Sequence, residues 1–389
     1  MNILPTIAES KDELEAIFRD LHAHPEIGFT ETRTSGIVAE KLREYGVDEV
    51  HTGLGRTGVV ALIKGKGQGN RRVGLRADMD ALPIAEATGL DYASTNPGVM
   101  HACGHDSHTT MLLGAAKHLA ATRDFDGTAV IVFQPAEEGL GGARQMLEDG
   151  LFQQFPCDEI FGMHNMPNGK PGTVAICKGP AMAGAAFFDI HVKGRGSHAA
   201  RPSDSKDALI IASSLATELQ TILSRNIPAQ DVLVLSVTQI HAGSAYNVVP
   251  ETAHLAGTVR YFSDDMYKLA AERMQAICDG MAMMHGVEVT LDLRNVFDVL
   301  VNDDELSDAY MQAAGDIVGQ ENLDPDAQAV TGSEDFADML RVVPGAYCTV
   351  GHGGTMPLHN PEYTLDPSIL PVGASVMARV VERRLPLEG

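Results

Sequence analysis

The stretch "MHACGHDSH", residues 100–108, puts three histidines, a cysteine and an aspartate within nine residues. Imidazole nitrogen and thiolate sulfur are the donors that zinc and similar transition ions prefer, and carboxylates extend the set toward manganese. More donors recur downstream: Glu137 and Glu138 in "PAEEG", His164 in "GMHNMP", and His352 and His359 in "GHGGTMPLHNP". Cys103, His105, Glu138, His164 and His359 together supply one thiolate, three imidazoles and a carboxylate. Shared between two divalent ions, those five ligands leave positions open for water and substrate, as hydrolytic chemistry requires. Glu137 stands next to a ligand without being needed as one, the placement of a general base toward bound water. Asp78, Asp80 and Asp106 are expected behind the histidines, orienting their rings.

The donors fall at or just beyond segments that read as buried strands. "VVALIKG" (59–65), "RRVGLRA" (71–77), "TAVIVFQ" (128–134), "DEIFGMH" (158–164) and "GAYCTVG" (345–351) are short apolar runs, and "HTTMLLGAAKHLAA" (108–121) has the length of a helix. Such alternation predicts an α/β domain, in which loops at the carboxyl ends of the strands build the site. Residues 11–45 carry helical spacing interrupted at Pro25 and Gly28 of "HAHPEIGFTE". The middle of the chain has another rhythm: strand 186–193, helix 206–225, strands 232–241 and 252–261, helix 265–285, strand 287–293. That is the β-α-β-β-α-β order of a ferredoxin-like sheet with two helices on one face. The reading is therefore an α/β domain in two parts, 1–184 and 295–389, with a ferredoxin-like domain inserted at 185–294.

Composition narrows the function classes. A chain of 389 residues exceeds one ordinary core, so two domains are expected. Net charge is −23 with no basic cluster, which repels phosphate backbones and anionic membranes and argues against nucleic-acid or membrane partners. No apolar run approaches the ~20 residues of a bilayer span. The start "MNILPTIAESKDELEAIF" lacks the basic and apolar regions of a signal peptide, so a cytoplasmic location is expected. The five cysteines are odd in number and form no CxxC, which argues against a disulfide framework. "GLGRTG" (53–58) matches GxGxxG literally, but a strand-like segment follows it where a helix is needed, so it reads as a turn. There is no P-loop and no GxSxG. His118, His191, His241, His254 and His285 are expected to be ordinary core or surface residues.

With these residues in view, the chain resembles the amidohydrolase branch of the aminoacylase/carboxypeptidase metallopeptidases, which includes hippurate hydrolases, N-acyl-amino-acid amidohydrolases and indole-acetyl-amino-acid hydrolases. The resemblance rests on "LHAHPEIGFTE" (21–31), "GLRADMDALPI" (74–84), "MHACGHDSHTTMLLGAAKHL" (100–119), "VFQPAEEGLGGA" (132–143), "GRGSHAARP" (194–202), "NVVPETAHLAGTVR" (247–260), "GSEDF" (332–336) and "LHNPEY" (358–363). It implies a mixed-sheet catalytic domain with an inserted lid or dimerisation domain, hence a homodimer. It also implies a two-metal centre held by Cys103, His105, Glu138, His164 and His359, manganese favoured over zinc, cobalt or nickel, with Glu137 as general base. By the same resemblance His198 steadies the scissile carbonyl, while Asn247 and Arg260 receive the substrate carboxylate. Ser203, Ala208 and Asn360 depart from the commoner family pattern and Arg201 adds a charge beside His198; none removes an implied ligand. The implied reaction is hydrolysis of an N-acyl-amino acid. A dipeptidase or carboxypeptidase, or a non-catalytic metal-bound binding protein, remain the alternatives.

Overall fold

The computed structural model describes residues 1–387, which form two units. The first comprises Met1–Ala181, Val301–Ala329 and the chain from Asp335 onward; the second comprises Met182–Leu300 and Val330–Glu334.

The first unit is built on an eight-stranded mixed sheet in the spatial order Glu49–Leu54, Gly58–Lys64, Thr128–Gln134, Arg72–Asp78, Glu159–Met166, Gly345–Gly351, Val174–Ala175, Leu323–Asp324. Its four central strands, Thr128–Gln134, Arg72–Asp78, Glu159–Met166 and Gly345–Gly351, are mutually parallel. Buried parallel strands lack an alternating polar face, which is why these segments read as continuous apolar runs. Parallel pairing also puts Asp78, Gln134, Met166 and Gly351 at one edge of the sheet, and the loops bearing the candidate donors follow there. The strands Glu49–Leu54 and Gly58–Lys64 form an antiparallel hairpin, and "GLGRTG" is its turn, with Gly55 and Arg56 at positive φ.

The helix after the cysteine loop spans His105–Thr122, three residues earlier than apolar spacing suggests. Asp106 and Ser107 fall ahead of the expected start at 108 because of their polarity, yet they and His108, Thr109 and Thr110 are all buried. Their side chains are satisfied by one another and by groups of the candidate site, so tertiary contact overrides the apparent polarity. This helix packs against Lys11–Ala23, Thr32–Glu44 and Leu370–Arg384. Fully buried aliphatic side chains such as Leu112, Leu113 and Leu119 each contribute about 1.5–3 kcal/mol of transfer free energy to that contact.

The second unit holds a four-stranded antiparallel sheet in the order Leu233–Ala242, Thr252–Tyr261, Gly184–Lys193, Glu288–Phe297. With the strands numbered along the chain this is the 2-3-1-4 order of a ferredoxin-like fold. Helices Ala208–Glu218 and Asp264–His285 cover one face, burying Phe188, Ile190, Val192, Leu255 and Val259. The last strand runs to Phe297, past position 294, because a register shift between Asn295 and Phe297 hides the end of its alternation. Ala183 N–H bonds the carbonyls of Val330 and Gly332 at 3.1 and 3.0 Å, which ties residues 330–334 to this unit. Among the described residues no helix is long and apolar enough to cross a membrane.

Candidate metal centre

Each donor is positioned by a different device. Cys103 and His105 flank Gly104, which sits at φ +85° and caps the helix that begins at His105. A Cβ on Gly104 would collide with the amide of Asn165 and lie 2.7 Å from the Tyr363 hydroxyl, so only glycine fits between the two donors. Glu137 and Glu138 follow Ala136, a non-glycine residue at φ +55° whose N–H donates to the Glu31 carboxylate at 2.8 Å. Gly28 presses against the same turn: a Cβ there would meet Ala136 Cα at 2.9 Å. The "PEIGFTE" segment thus braces the glutamate pair. His359 also lies at positive φ, with its N–H on the Ala102 carbonyl at 2.8 Å, which joins the two histidine-bearing loops. Backbone held in this region costs about 1–3 kcal/mol per residue and clusters where geometry is functional.

Donor atoms of Cys103, His105 and His164 lie within 4.8 Å of one another, as do those of Cys103, Glu138 and His359 and those of His105, Glu137 and Glu138. The Cys103 Sγ is 3.4 Å from His164 Nε2, and Glu138 Oε1 is 3.4 Å from His359 Nε2 and 3.9 Å from His105 Nε2. The five expected ligands and Glu137 therefore form one cluster. The hydrogen bonds behind the rings favour metal-competent tautomers. His164 Nδ1 donates to the Asn165 carbonyl at 2.5 Å and His105 Nδ1 donates to Asp80 Oδ1 at 3.3 Å, which leaves each Nε2 as the atom facing the cluster. Glu138 Oε1 is buried with no hydrogen-bond partner, an arrangement that a cation would relieve. The residues present thus fit a bound metal.

Burial pushes the Cys103 thiol up to about 12; a coordinated thiol is instead held as thiolate. Burial depresses His105, but Asp78, Cys103 and Asp80 outweigh it and hold the ring well above its ordinary value. Burial holds His164 well below its ordinary value, and the neighbouring His108 adds to the effect. Burial also opposes ionisation of Asp78, yet His105, His108 and Arg76 keep it well below the usual carboxylate range.

The chain belongs to peptidase family M20/M25/M40. The family's model matches residues 74–383. The chain is 40% identical over 385 residues to a hippurate hydrolase of Campylobacter jejuni, covering 99% of this chain and 100% of that one. It is 37% identical over 363 residues to an N-acetylcysteine deacetylase of Bacillus subtilis, covering 93% and 94%. A solved Bacillus subtilis structure described as a dinuclear metal binding peptidase of the M20 family superposes with a TM-score of 0.83 at 33% identity, covering 97% of this chain and 99% of that one. The protein is an M20-family hydrolase.

The remaining expected site residues of this M20 chain lie in its inserted unit. His198 belongs to the short strand Ser197–His198, paired with Val248–Val249, and Ala199 N–H donates to the Asn247 carbonyl at 3.0 Å, so His198 and Asn247 are brought together. Arg260 is not with them. It lies at the other end of Thr252–Tyr261, half-buried, its guanidinium 5.8 Å from the Phe187 ring centroid.

Several supporting residues escape sequence reasoning. His108 bonds Asp78 at 2.6 Å through Nδ1 and accepts the Asn165 N–H at 2.9 Å. Asn165 in turn donates to the Cys103 carbonyl at 2.6 Å and accepts from the Tyr363 hydroxyl at 2.7 Å. Buried Arg76 reaches Gln134 and Asp78, each at 2.8 Å, and Asp335 at 3.3 Å. Asp335 N–H faces Glu137 Oε1 at 3.4 Å. The only available signal was position: His108 is one turn beyond His105, and Asn165 follows His164. Of the expected orienting carboxylates, Asp78 holds His108, Asp80 holds His105, and Asp106 holds His22 at 2.7 Å. His118, bonded to Thr6 at 2.5 Å and Glu382 at 2.8 Å, is a satisfied structural histidine. All five cysteines are free.

Proposed function

We propose that this chain is a dinuclear-metal-dependent amidohydrolase that cleaves the amide bond of N-acyl-amino acids, of the N-acetyl or hippurate-like N-benzoyl kind, to a carboxylic acid and a free amino acid. The observation that carries the reading is the cluster of Cys103, His105, Glu138, His164 and His359 around Glu137, in a chain 40% identical to a hippurate hydrolase. Those five residues would hold two divalent ions, with manganese favoured and zinc, cobalt or nickel compatible with the same donors. Bound there, such ions supply Lewis acidity and bring the pKa of water toward neutrality. Glu137 takes the proton of the attacking water and returns it to the leaving nitrogen. His198 Nδ1 accepts the Ala200 N–H at 3.1 Å, which leaves Nε2 to carry the ring proton as a donor to the developing oxyanion. Loss of such a donor typically costs ~3 kcal/mol. The Arg260 guanidinium forks onto the substrate carboxylate and Asn247 adds an amide donor.

The spacing of these groups supports a homodimer. Thr252 pairs with Lys193 and Arg260 with Ala185, so eight residues of strand, about 26 Å at ~3.3 Å each, separate Arg260 from the sheet end nearest His198 and Asn247. One N-acyl-amino acid does not span that length. The two ends of an inserted unit would then serve different sites, which two copies joined through this unit can satisfy. The enzyme is read as cytoplasmic, acting on a small molecule.

The test is metal-reconstituted hydrolysis of N-acetyl-, N-benzoyl- and indole-acetyl-amino acids beside free dipeptides, with Glu137→Gln as the control. Turnover of acylated substrates that disappears in Glu137→Gln while metal content holds is the expected result. Turnover of dipeptides alone would move the assignment to a dipeptidase, and full activity in Glu137→Gln would remove the general base.

A further inference from the structure

The face of the inserted sheet away from its helices carries a row of histidines that the proposed reaction does not use. Strand register sets His241 opposite His254 and His254 opposite His191. Directly opposed residues project to the same side of a sheet, so three adjacent strands present an imidazole at one level. The neighbours Ile190, Val192, Ala253 and Leu255 point the other way into the core, which leaves the histidine side open. The His191 and His254 rings lie 4.7 Å apart at 15°, and those of His241 and His254 lie 6.0 Å apart at 13°. Asp189, two residues before His191 and on the same face, places Oδ1 2.6 Å from His254 Nε2. One ligand atom each from Asp189, His191 and His254 falls within 4.8 Å of the others. His191 is exposed and the other two are partly exposed, so an ion reaches them directly from solvent.

We propose that Asp189, His191 and His254 form a transition-metal site made wholly of inserted-unit residues, taking Zn²⁺, Ni²⁺ or Cu²⁺, with His241 as a further donor beside His254. Two imidazoles and one carboxylate match these ions; calcium and magnesium demand more oxygen ligands than the cluster offers. Arg294 tunes the site. Its guanidinium pairs with Asp189 Oδ2 at 2.5 Å and also with Asp292. Arg294 occupies Oδ2 of Asp189, which leaves Oδ1 directed at the imidazoles. The same guanidinium is a fixed positive charge that opposes an incoming cation. At ~5 Å from a divalent ion in a water-like dielectric its removal is worth about a ten- to twentyfold gain in metal affinity.

The experiment is equilibrium dialysis and chelator-competition titration with Ni²⁺ or Zn²⁺ alone as probe, on the full chain, the His191→Ala/His254→Ala double variant, and Arg294→Gln. The centre around Cys103 is present in all three proteins and cancels in the comparison. The parent is expected to bind one more equivalent than the double variant, and Arg294→Gln to bind that equivalent about ten- to twentyfold more tightly, with hydrolytic activity unchanged. Equal stoichiometry in parent and folded double variant overturns the site. Should the double variant fail to fold, Arg294→Gln decides alone, because unchanged or weakened affinity for the last equivalent also overturns it.

Discussion

Asp80 offers the sharpest test of how the candidate centre is held. Its buried carboxylate is shared three ways: Oδ1 accepts from His105 Nδ1 at 3.3 Å and from the Glu137 N–H at 3.0 Å, while Oδ2 accepts from the Glu138 N–H at 3.0 Å. One side chain therefore orients two expected ligands and the expected general base. Asp80→Asn keeps the shape and exchanges one oxygen for an NH₂. Placed at Oδ1, the NH₂ would face two donors; placed at Oδ2 it faces one, so the amide should settle with its nitrogen toward Glu138. That geometry keeps His105 and Glu137 bonded and leaves the Glu138 N–H opposed by another donor. A lost bond to a charged acceptor costs about 1.5–3 kcal/mol, or roughly a ten- to hundredfold loss in affinity at 1.4 kcal/mol per decade. The same range is typical for removing the group behind a metal ligand.

Two readouts follow for Asp80→Asn. Competition against a metal chelator should show affinity reduced by about 10- to 100-fold. Because Glu137 keeps its acceptor, kcat measured at saturating metal should return to within a fewfold of the parent. Unchanged metal affinity would refute the positioning role. Normal affinity with a kcat that no metal concentration restores would instead assign Asp80 to the chemistry.

Two further predictions rest on the same neighbourhood. Burial alone pushes the His22 ring down, but hydrogen bonds and charges from Asp106 and Glu86 outweigh it and raise it from 6.5 to about 9. A folded value above the unfolded one means stability fully present below pH 6.5 and lost as pH rises through 9, about 3 kcal/mol at ~1.4 kcal/mol per unit. Urea unfolding at pH 6.5 and 9.5 should show that loss in the parent and not in His22→Gln, and parallel profiles would contradict it. Gly104→Ala forces a left-handed residue, costing about 1–2 kcal/mol, and displaces Asn165 or Tyr363. Its melting temperature and metal content should fall together, and a variant that keeps both would show that the loop has room to adjust.

How much of this was legible follows from the range of each interaction. The cluster of five expected ligands and Glu137 could be anticipated from residue type because metal donors are chemically distinctive, and they follow strands whose apolar runs are visible or, for Cys103 and His105, open a helix. The parallel strands were readable because Thr128–Gln134 and Gly345–Gly351 are buried almost throughout and mostly apolar. The inserted fold was readable from alternation, as in Gly184–Lys193, where buried and exposed positions take turns. Signals failed where tertiary partners reverse local character. The first turn of His105–Thr122 looks like loop, and becomes helix only because Asp106 meets His22 and His108 meets Asp78.

The supporting residues were hidden for a different reason. Glu31 bonds Ala136 across 105 positions, Asp335 faces Glu137 across 198, and Tyr363 bonds Asn165 across 198. No local pattern encodes a partner that distant, and a lone glutamate, aspartate or tyrosine carries no chemical signature to suggest one. The histidine row of the inserted unit belongs to the same class. His191, His241 and His254 are each unremarkable in sequence, 50 and 13 positions apart, and become a cluster only when register aligns three strands. A donor set assembled by sheet register is invisible to motif reading in proportion to the loop lengths between its strands. Its one sequence trace is that the donors sit on the outward phase of alternating strands, and solvent-facing polar residues occupy that phase by default. Register, more than residue type, is therefore the information that separates a candidate metal site from three ordinary surface histidines, and the nickel titration of the His191→Ala/His254→Ala variant tests whether that information is sufficient.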